Sequence, residues 1–94
     1  MICTFANKQT EELFLHGRSR HFPGTILTRA LDKLRYIDAA NELDDLRIPP
    51  GNRLKRLQGK IANTYGIRVN RSWRICFIWQ EGNAYQVELN NHYA

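Results

Sequence analysis

Tyr65-Gly66-Ile67-Arg68-Val69-Asn70-Arg71-Ser72-Trp73-Arg74-Ile75-Cys76-Phe77-Ile78-Trp79 is the stretch on which the fold turns. Apolar side chains fall at every second position, first Tyr65, Ile67 and Val69, then Trp73, Ile75, Phe77 and Trp79. That is the period of a half-buried strand, not of a helix. A loop over Asn70 to Ser72 that keeps both apolar sets on one face pairs Val69 with Trp73. Arg68 then lies directly opposite Arg74 on the other face.

A third alternating run follows, with Tyr85, Val87 and Leu89 facing inward between Gln86, Glu88 and Asn90. A loop of Glu81-Gly82-Asn83 pairs Trp79 with Tyr85 and so sets Arg74 beside Asn90. Continuing the strand brings His92 to the face of Arg68 and Arg74. Like charges directly opposed on a sheet cost from a few tenths to ~1 kcal/mol unless an anion lies between them. Two readings stay open at this point: a site for an oxyanion, or two guanidinium groups splayed into solvent.

Upstream of the strands the pattern is helical. Asn7 can cap a helix that runs to about His16, with Glu11 and Glu12 near its positive end and Gly17 after its close. After the basic connector Arg18-Ser19-Arg20-His21, Pro23 suits a first helical turn, and Leu27, Ala30, Leu31, Leu34 and Ile37 recur at helical spacing. That stripe is read as a core-facing surface. Asn41 to Leu46 can add a helical turn before Pro49-Pro50-Gly51-Asn52 breaks it. Met1 to Phe5 reads as a short first strand. The expected architecture is α+β: two N-terminal helices packed on one face of a small antiparallel sheet, with function on the opposite face.

Length and composition fit this plan. Ninety-four residues, 43% hydrophobic and 24% charged, make one domain over residues 1–94 and leave no room for a deep active-site cavity. No apolar run approaches the ~18 residues of a membrane span. Met1-Ile2-Cys3-Thr4-Phe5 lacks the features of a secretory signal, so the chain is expected in the cytoplasm. Cys3 and Cys76 have no metal-ligand spacing and are read as small buried hydrophobes in a reducing compartment.

The net charge of +5 is unevenly spread. Residues 1–45 carry six bases and seven acids, residues 81–94 carry two acids, and residues 46–80 carry eight bases and no acid. The eight are Arg47, Arg53, Lys55, Arg56, Lys60, Arg68, Arg71 and Arg74, mostly arginine, whose planar fork matches phosphate oxygens. A nucleic acid is the partner this implies.

Cleavage of RNA through its 2′-hydroxyl needs a proton acceptor, positive charge around the phosphorane and a donor for the leaving oxygen. His92, the only histidine of the basic half, can serve as base or acid. Tyr93 can donate a proton or stack on a base, and Lys55, Arg68 and Arg74 can hold the phosphate. Near a chain end, a solvated tail is the competing reading of His92. No histidine pair has metal spacing and no glycine loop cradles a phosphate, so neither a metal nor another cofactor is expected.

The segments Leu43-Asp44-Asp45-Leu46-Arg47-Ile48-Pro49-Pro50-Gly51-Asn52-Arg53-Leu54, Leu57-Gln58-Gly59, Tyr65 to Asn70, Trp73 to Phe77 and the final Asn91-His92-Tyr93 resemble the HigB toxins of the RelE/ParE toxin-antitoxin superfamily. The similarity reaches back through Phe14, Gly17 and Arg20. The resemblance implies a ribosome-dependent endoribonuclease that cleaves mRNA in the A site and is neutralised by a HigA-type helix-turn-helix antitoxin, expected on the helical side. It matches the family's catalytic groups at Arg74, Asn91, His92 and Tyr93; with the charge pattern and strand register added, the expected catalytic residues are Arg74, His92, Tyr93 and Lys55, and the expected RNA- or phosphate-binding residues are Arg53, Arg56, Lys60, Arg68, Arg71 and Asn91. Some members carry a histidine where this chain has Lys55, which leaves His92 with the first claim to be the base. ParE-type relatives poison DNA gyrase on the same scaffold, so a non-catalytic inhibitor is the alternative. The charge asymmetry alone also admits a plain RNA-binding module.

Overall fold

A computed structural model describes residues 1–59 and 61–91. Helix α1 (Lys8–His16) and helix α2 (Leu27–Ala39) pack on one face of an antiparallel sheet of β1 (Lys55–Arg56), β2 (Thr64–Arg68), β3 (Arg74–Gln80) and β4 (Asn83–Asn90), in the spatial order β1-β2-β3-β4. The expected α+β architecture is the one observed.

Both ends of α1 are those the sequence announces. The Asn7 side chain accepts from the Thr10 N–H at 2.9 Å, a cap worth about 1 kcal/mol. Gly17 closes the helix at φ 72°, and its N–H reaches the Leu13 carbonyl. Helix α2 has no side-chain cap; a 3-10 turn over Gly24–Ile26 leads into it from Pro23. It is held by packing instead. Ala30, Leu34 and Ile37 are fully buried, and burying a leucine or isoleucine stabilises by ~1.5–3 kcal/mol. They meet Ile67, Ile75, Phe77, Val87 and Leu89 of the sheet, with Trp73 and Trp79 half-buried around them.

The β2–β3 register is the one derived from parity: Ile67 pairs Ile75, and Arg68 pairs Arg74. The β3–β4 hairpin differs. Its turn holds two residues, Glu81 and Gly82, both at positive φ, so Trp79 pairs Ala84 instead of Tyr85. A bulge then adds one residue to β4 at Gln86, whose φ is 53°, and beyond it Arg74 pairs Asn90 as expected. The two one-residue differences cancel. Ala84 therefore takes the buried place expected for Tyr85, which lies outside the core cluster.

Two further expectations are corrected. Met1 to Phe5 is not a regular strand; two parallel bridges, Ile2 to Ala84 and Phe5 to Val87, tie it to β4. Cys3, expected to be buried, is exposed; Cys76 is buried, and both thiols are free. Among the described residues no helix is long and apolar enough to cross a membrane.

Candidate functional site

The face of the sheet away from the helices carries two rows of side chains set by the register. In one, Lys55, Gly66, Cys76 and Glu88 stand side by side across the four strands. In the next, Arg68, Arg74 and Asn90 do. Two residues of strand separate Lys55's row from Arg68's, about 7 Å.

The turn between β2 and β3 is built by Asn70. Its side-chain oxygen accepts from the N–H groups of Ser72 and Trp73, both at 2.8 Å, an Asx turn, and its carbonyl accepts from Arg68 Nε at 3.0 Å. Asn70 thus fixes both the turn that presents Arg71 and the direction of Arg68. Trp73 is steadied by Phe22, whose ring meets it edge-on at 5.7 Å between centroids.

Arg53 enters the site from a different element. The buried Asn52 donates to the carbonyls of Leu46 at 3.1 Å and Ile48 at 3.3 Å and accepts from Lys33, which pins the Pro-Pro-Gly-Asn segment. The chain then turns through Arg53 at φ 47°. An open hollow of about 240 Å³ results, lined by Arg53, Arg68, Asn70, Arg71, Ser72, Trp73 and Arg74. Four guanidinium groups surround it and no carboxylate lines it. Among the described residues the one ion pair joins Arg47 to Asp44, so Arg47 is the member of the basic segment whose charge is matched.

Gly66 shapes the approach of Arg74. A Cβ at Gly66 would stand 2.9 Å from Arg74 Cδ, closer than Cβ contacts come, and would touch Leu57 Cδ1 at 3.4 Å. The stem of Arg74 lies in the space that the missing side chain leaves. Glycine inside a strand often marks such a close approach. Next to it, burial pushes the Cys76 thiol pKa up, and the Asn90 amide donates to its sulfur at 3.8 Å, so Cys76 is no thiolate nucleophile at neutral pH.

The structure therefore brings Arg53, Arg68, Arg71 and Arg74 together and puts Lys55 on the same face one row away. It does not bring Arg56 in: Arg56 pairs Tyr65, which belongs to the opposite face, and is exposed. Asn91 is exposed just past β4. Lys60, His92 and Tyr93 lie outside the described residues. Asn70 and Gly66 were not assigned roles by sequence reasoning, although an Asn two positions before a Ser-Trp pair is an Asx-turn signal. Among the described residues no group of three or more His, Cys, Asp or Glu gathers as metal ligands. A wider hollow of about 810 Å³ at the end of α1 mixes Glu12 with His16, Arg18, Arg20 and His21 and touches no strand of the sheet.

Residues 3–92 match the family model described as the RelE-like toxin of type II toxin-antitoxin system HigB. The chain is 38% identical to Toxin HigB-1 of Vibrio cholerae serotype O1 over 93 residues, 98% of each protein. It is 30% identical to Endoribonuclease HigB of Proteus vulgaris over 93 residues, 99% of this chain and all of that one. A crystal structure of a YafQ mutant from E. coli shares the fold with a TM-score of 0.55 at 15% identity, covering 98% of this chain and 94% of that one.

Proposed function

The chain belongs to the HigB-like, RelE-type toxins of type II toxin-antitoxin systems, and from that premise we propose that it is a ribosome-dependent endoribonuclease that cuts mRNA in the A site. The observation that carries the reading is the hollow of Arg53, Arg68, Arg71 and Arg74, which lacks any lining carboxylate. Paired like charges on a sheet are relieved by an anion between them, and a phosphodiester is that anion. The name of the Proteus vulgaris relative, Endoribonuclease HigB, favours cleavage over gyrase inhibition.

In the proposed reaction the RNA 2′-oxygen attacks the adjacent phosphorus as a base removes its proton. The bond to the 5′-oxygen breaks, and an acid protonates that oxygen. The products are a 2′,3′-cyclic phosphate and a 5′-hydroxyl. Arg68 and Arg74 hold the phosphate and meet the charge of the phosphorane without a metal, while Arg53, Arg71 and Lys60 attract the strand. His92 is assigned the proton transfer, with Tyr93 and Asn91 placing the RNA. Lys55, one row from Arg68, supports the phosphate and is the reserve candidate for the base. The reaction takes place in the cytoplasm, where ribosomes are. A HigA-type antitoxin is assigned to the helical side, where Leu15 and Tyr36 are exposed.

Translating a reporter mRNA with the purified protein and mapping the new 5′ ends tests the proposal. Cuts inside codons that require ribosomes are expected. Arrest of DNA supercoiling with intact mRNA would instead assign gyrase inhibition, and binding with neither effect would leave an RNA-binding module.

A further inference from the structure

Helix α2 carries charges that the balance of residues 1–45 conceals. Arg29 and Lys33 are four residues apart and share one helix face. Together with Gly51, Arg68, Val69, Asn70 and Arg71 they line an open hollow of about 310 Å³. Three of those residues, Arg68, Asn70 and Arg71, also line the arginine hollow on the sheet. Positive charge therefore runs unbroken from Arg74 past the β2–β3 turn to α2. Neither Arg29 nor Lys33 has an ion-pair partner among the described residues, although Asp32 stands between them in sequence. Among the described residues Arg29 makes one long hydrogen bond, from Nη1 to the Val69 carbonyl at 3.5 Å, which leaves most of its donors open to them. Lys33 donates to Asn52, and its ammonium lies 5.3 Å from the Tyr36 ring centre. Partial burial, and then the like charge of Arg29, lower the Lys33 pKa from the usual lysine value against the opposing pull of Asp32.

We infer that Arg29 and Lys33 form a second phosphate-holding patch, which grips the mRNA strand as it passes over the β2–β3 turn, away from the phosphate that reacts. The inference rests on the endoribonuclease reading. Shared lining residues put both patches within reach of neighbouring phosphates of one strand, which favours mRNA over ribosomal RNA as the occupant. The role is to hold substrate, so it belongs in affinity and not in the chemical step.

The test measures binding to ribosomes carrying an mRNA whose A-site codon is 2′-deoxy, so that it cannot be cut, across a range of salt concentrations. Arg29→Ala is expected to weaken binding by roughly fivefold and to reduce the log–log salt slope by about one. On cleavable mRNA, the loss should appear in the concentration for half-maximal single-turnover cleavage rather than in the rate at saturation. Lys33→Gln, whose amide can still donate to Asn52, should act in the same direction. Arg35→Ala, an exposed charge of the same helix that lines neither hollow, is the control and should leave both quantities unchanged. If Arg29→Ala behaves like Arg35→Ala while the unmodified protein binds and cuts, the patch is refuted and the reading of the site stands. An equal loss on ribosomes without mRNA, or a loss confined to antitoxin binding, also refutes it. A protein that neither binds nor cuts overturns both.

Discussion

The two faces of the sheet are made by alternate residues of the same strands, yet they obey opposite rules. Toward the helices stand Ile67, Ile75, Phe77, Val87 and Leu89, each no more than 2% exposed. Away from them, Arg68 and Arg74 are paired across β2 and β3, with Gly66 making room. One face gains stability by excluding water. The other accepts a repulsion between Arg68 and Arg74, neither of which forms an ion pair among the described residues. A residue's parity therefore says whether its loss should be felt in folding or in chemistry.

The largest effect should come from His92, which lies outside the described residues and is proposed for the proton transfer on the sequence pattern and the family resemblance. His92→Gln is expected to slow single-turnover cleavage on saturated ribosomes by about 10²- to 10⁴-fold, the usual loss for an acid or base, with little change in ribosome affinity. An undiminished rate would pass the base to Lys55.

Arg74 and Phe77 test the separation from its two sides. Arg74→Ala should cost about 10²- to 10³-fold in the same rate and abolish growth arrest, while unfolding shifts by no more than ~0.5 kcal/mol. Phe77→Ala should do the reverse, destabilising by ~3–5 kcal/mol in urea unfolding while the molecules still folded cut at the normal rate. An unfolded Arg74→Ala protein would break the comparison.

Gly66→Ala should slow cleavage by roughly 10- to 100-fold through displacement of Arg74, and the thermal midpoint should hold, because a strand glycine is itself unfavourable by ~0.5–1 kcal/mol. The decisive reading is that it costs nothing further in an Arg74→Ala background. An additive loss would mean that Gly66 acts elsewhere.

The smallest effect concerns Cys76, which shares the arginine face but is only 8% exposed, its thiol pKa raised mainly by burial. A thiol reagent at neutral pH should label Cys3 at once and Cys76 only on unfolding. Because the raised pKa keeps the native thiol protonated when the unfolded one ionises, stability should be complete below the unfolded cysteine pKa and fall as pH rises above it. Rapid labelling of both cysteines in the native protein would show that this part of the face is open.

How much of this could be read from the sequence depended on whether a signal was local. Asn7 and Gly17 bounded α1 because caps are one-residue signals with their own hydrogen bonds. The Arg68–Arg74 pair followed because two apolar runs flank a short loop. The β3–β4 turn was misjudged because Glu81 and Gln86 adopt positive φ, which neither residue type advertises. At Gln86 the exposed N–H is taken by Thr4 Oγ1 at 2.8 Å, a contact 82 residues distant in sequence that no local pattern could show. Strand β1 is two residues long and has no period to detect. The guanidinium cluster was foreshadowed by the acid-free segment, but Arg53's entry depends on a buried Asn52 held from Leu46, Ile48 and Lys33. Arg29 and Lys33 escaped notice because acids elsewhere in residues 1–45 cancelled them in the sum.

The first six residues, which look like a mere approach to α1, have a consequence for the protein's life in solution. The N–H groups of Cys3 and Ala6 donate to the carbonyls of Ala84 and Val87, and Ala84 and Val87 donate back to Met1 and Thr4, so the outer rim of β4 is already paired. At the opposite rim, β1 is a two-residue stub of Lys55 and Arg56, both exposed and charged. Unpaired strand rims are templates on which other chains add, and this sheet has closed one and cut the other short with like charge. The N-terminal segment thus occupies backbone groups on the β4 rim that a strand of another chain would otherwise use.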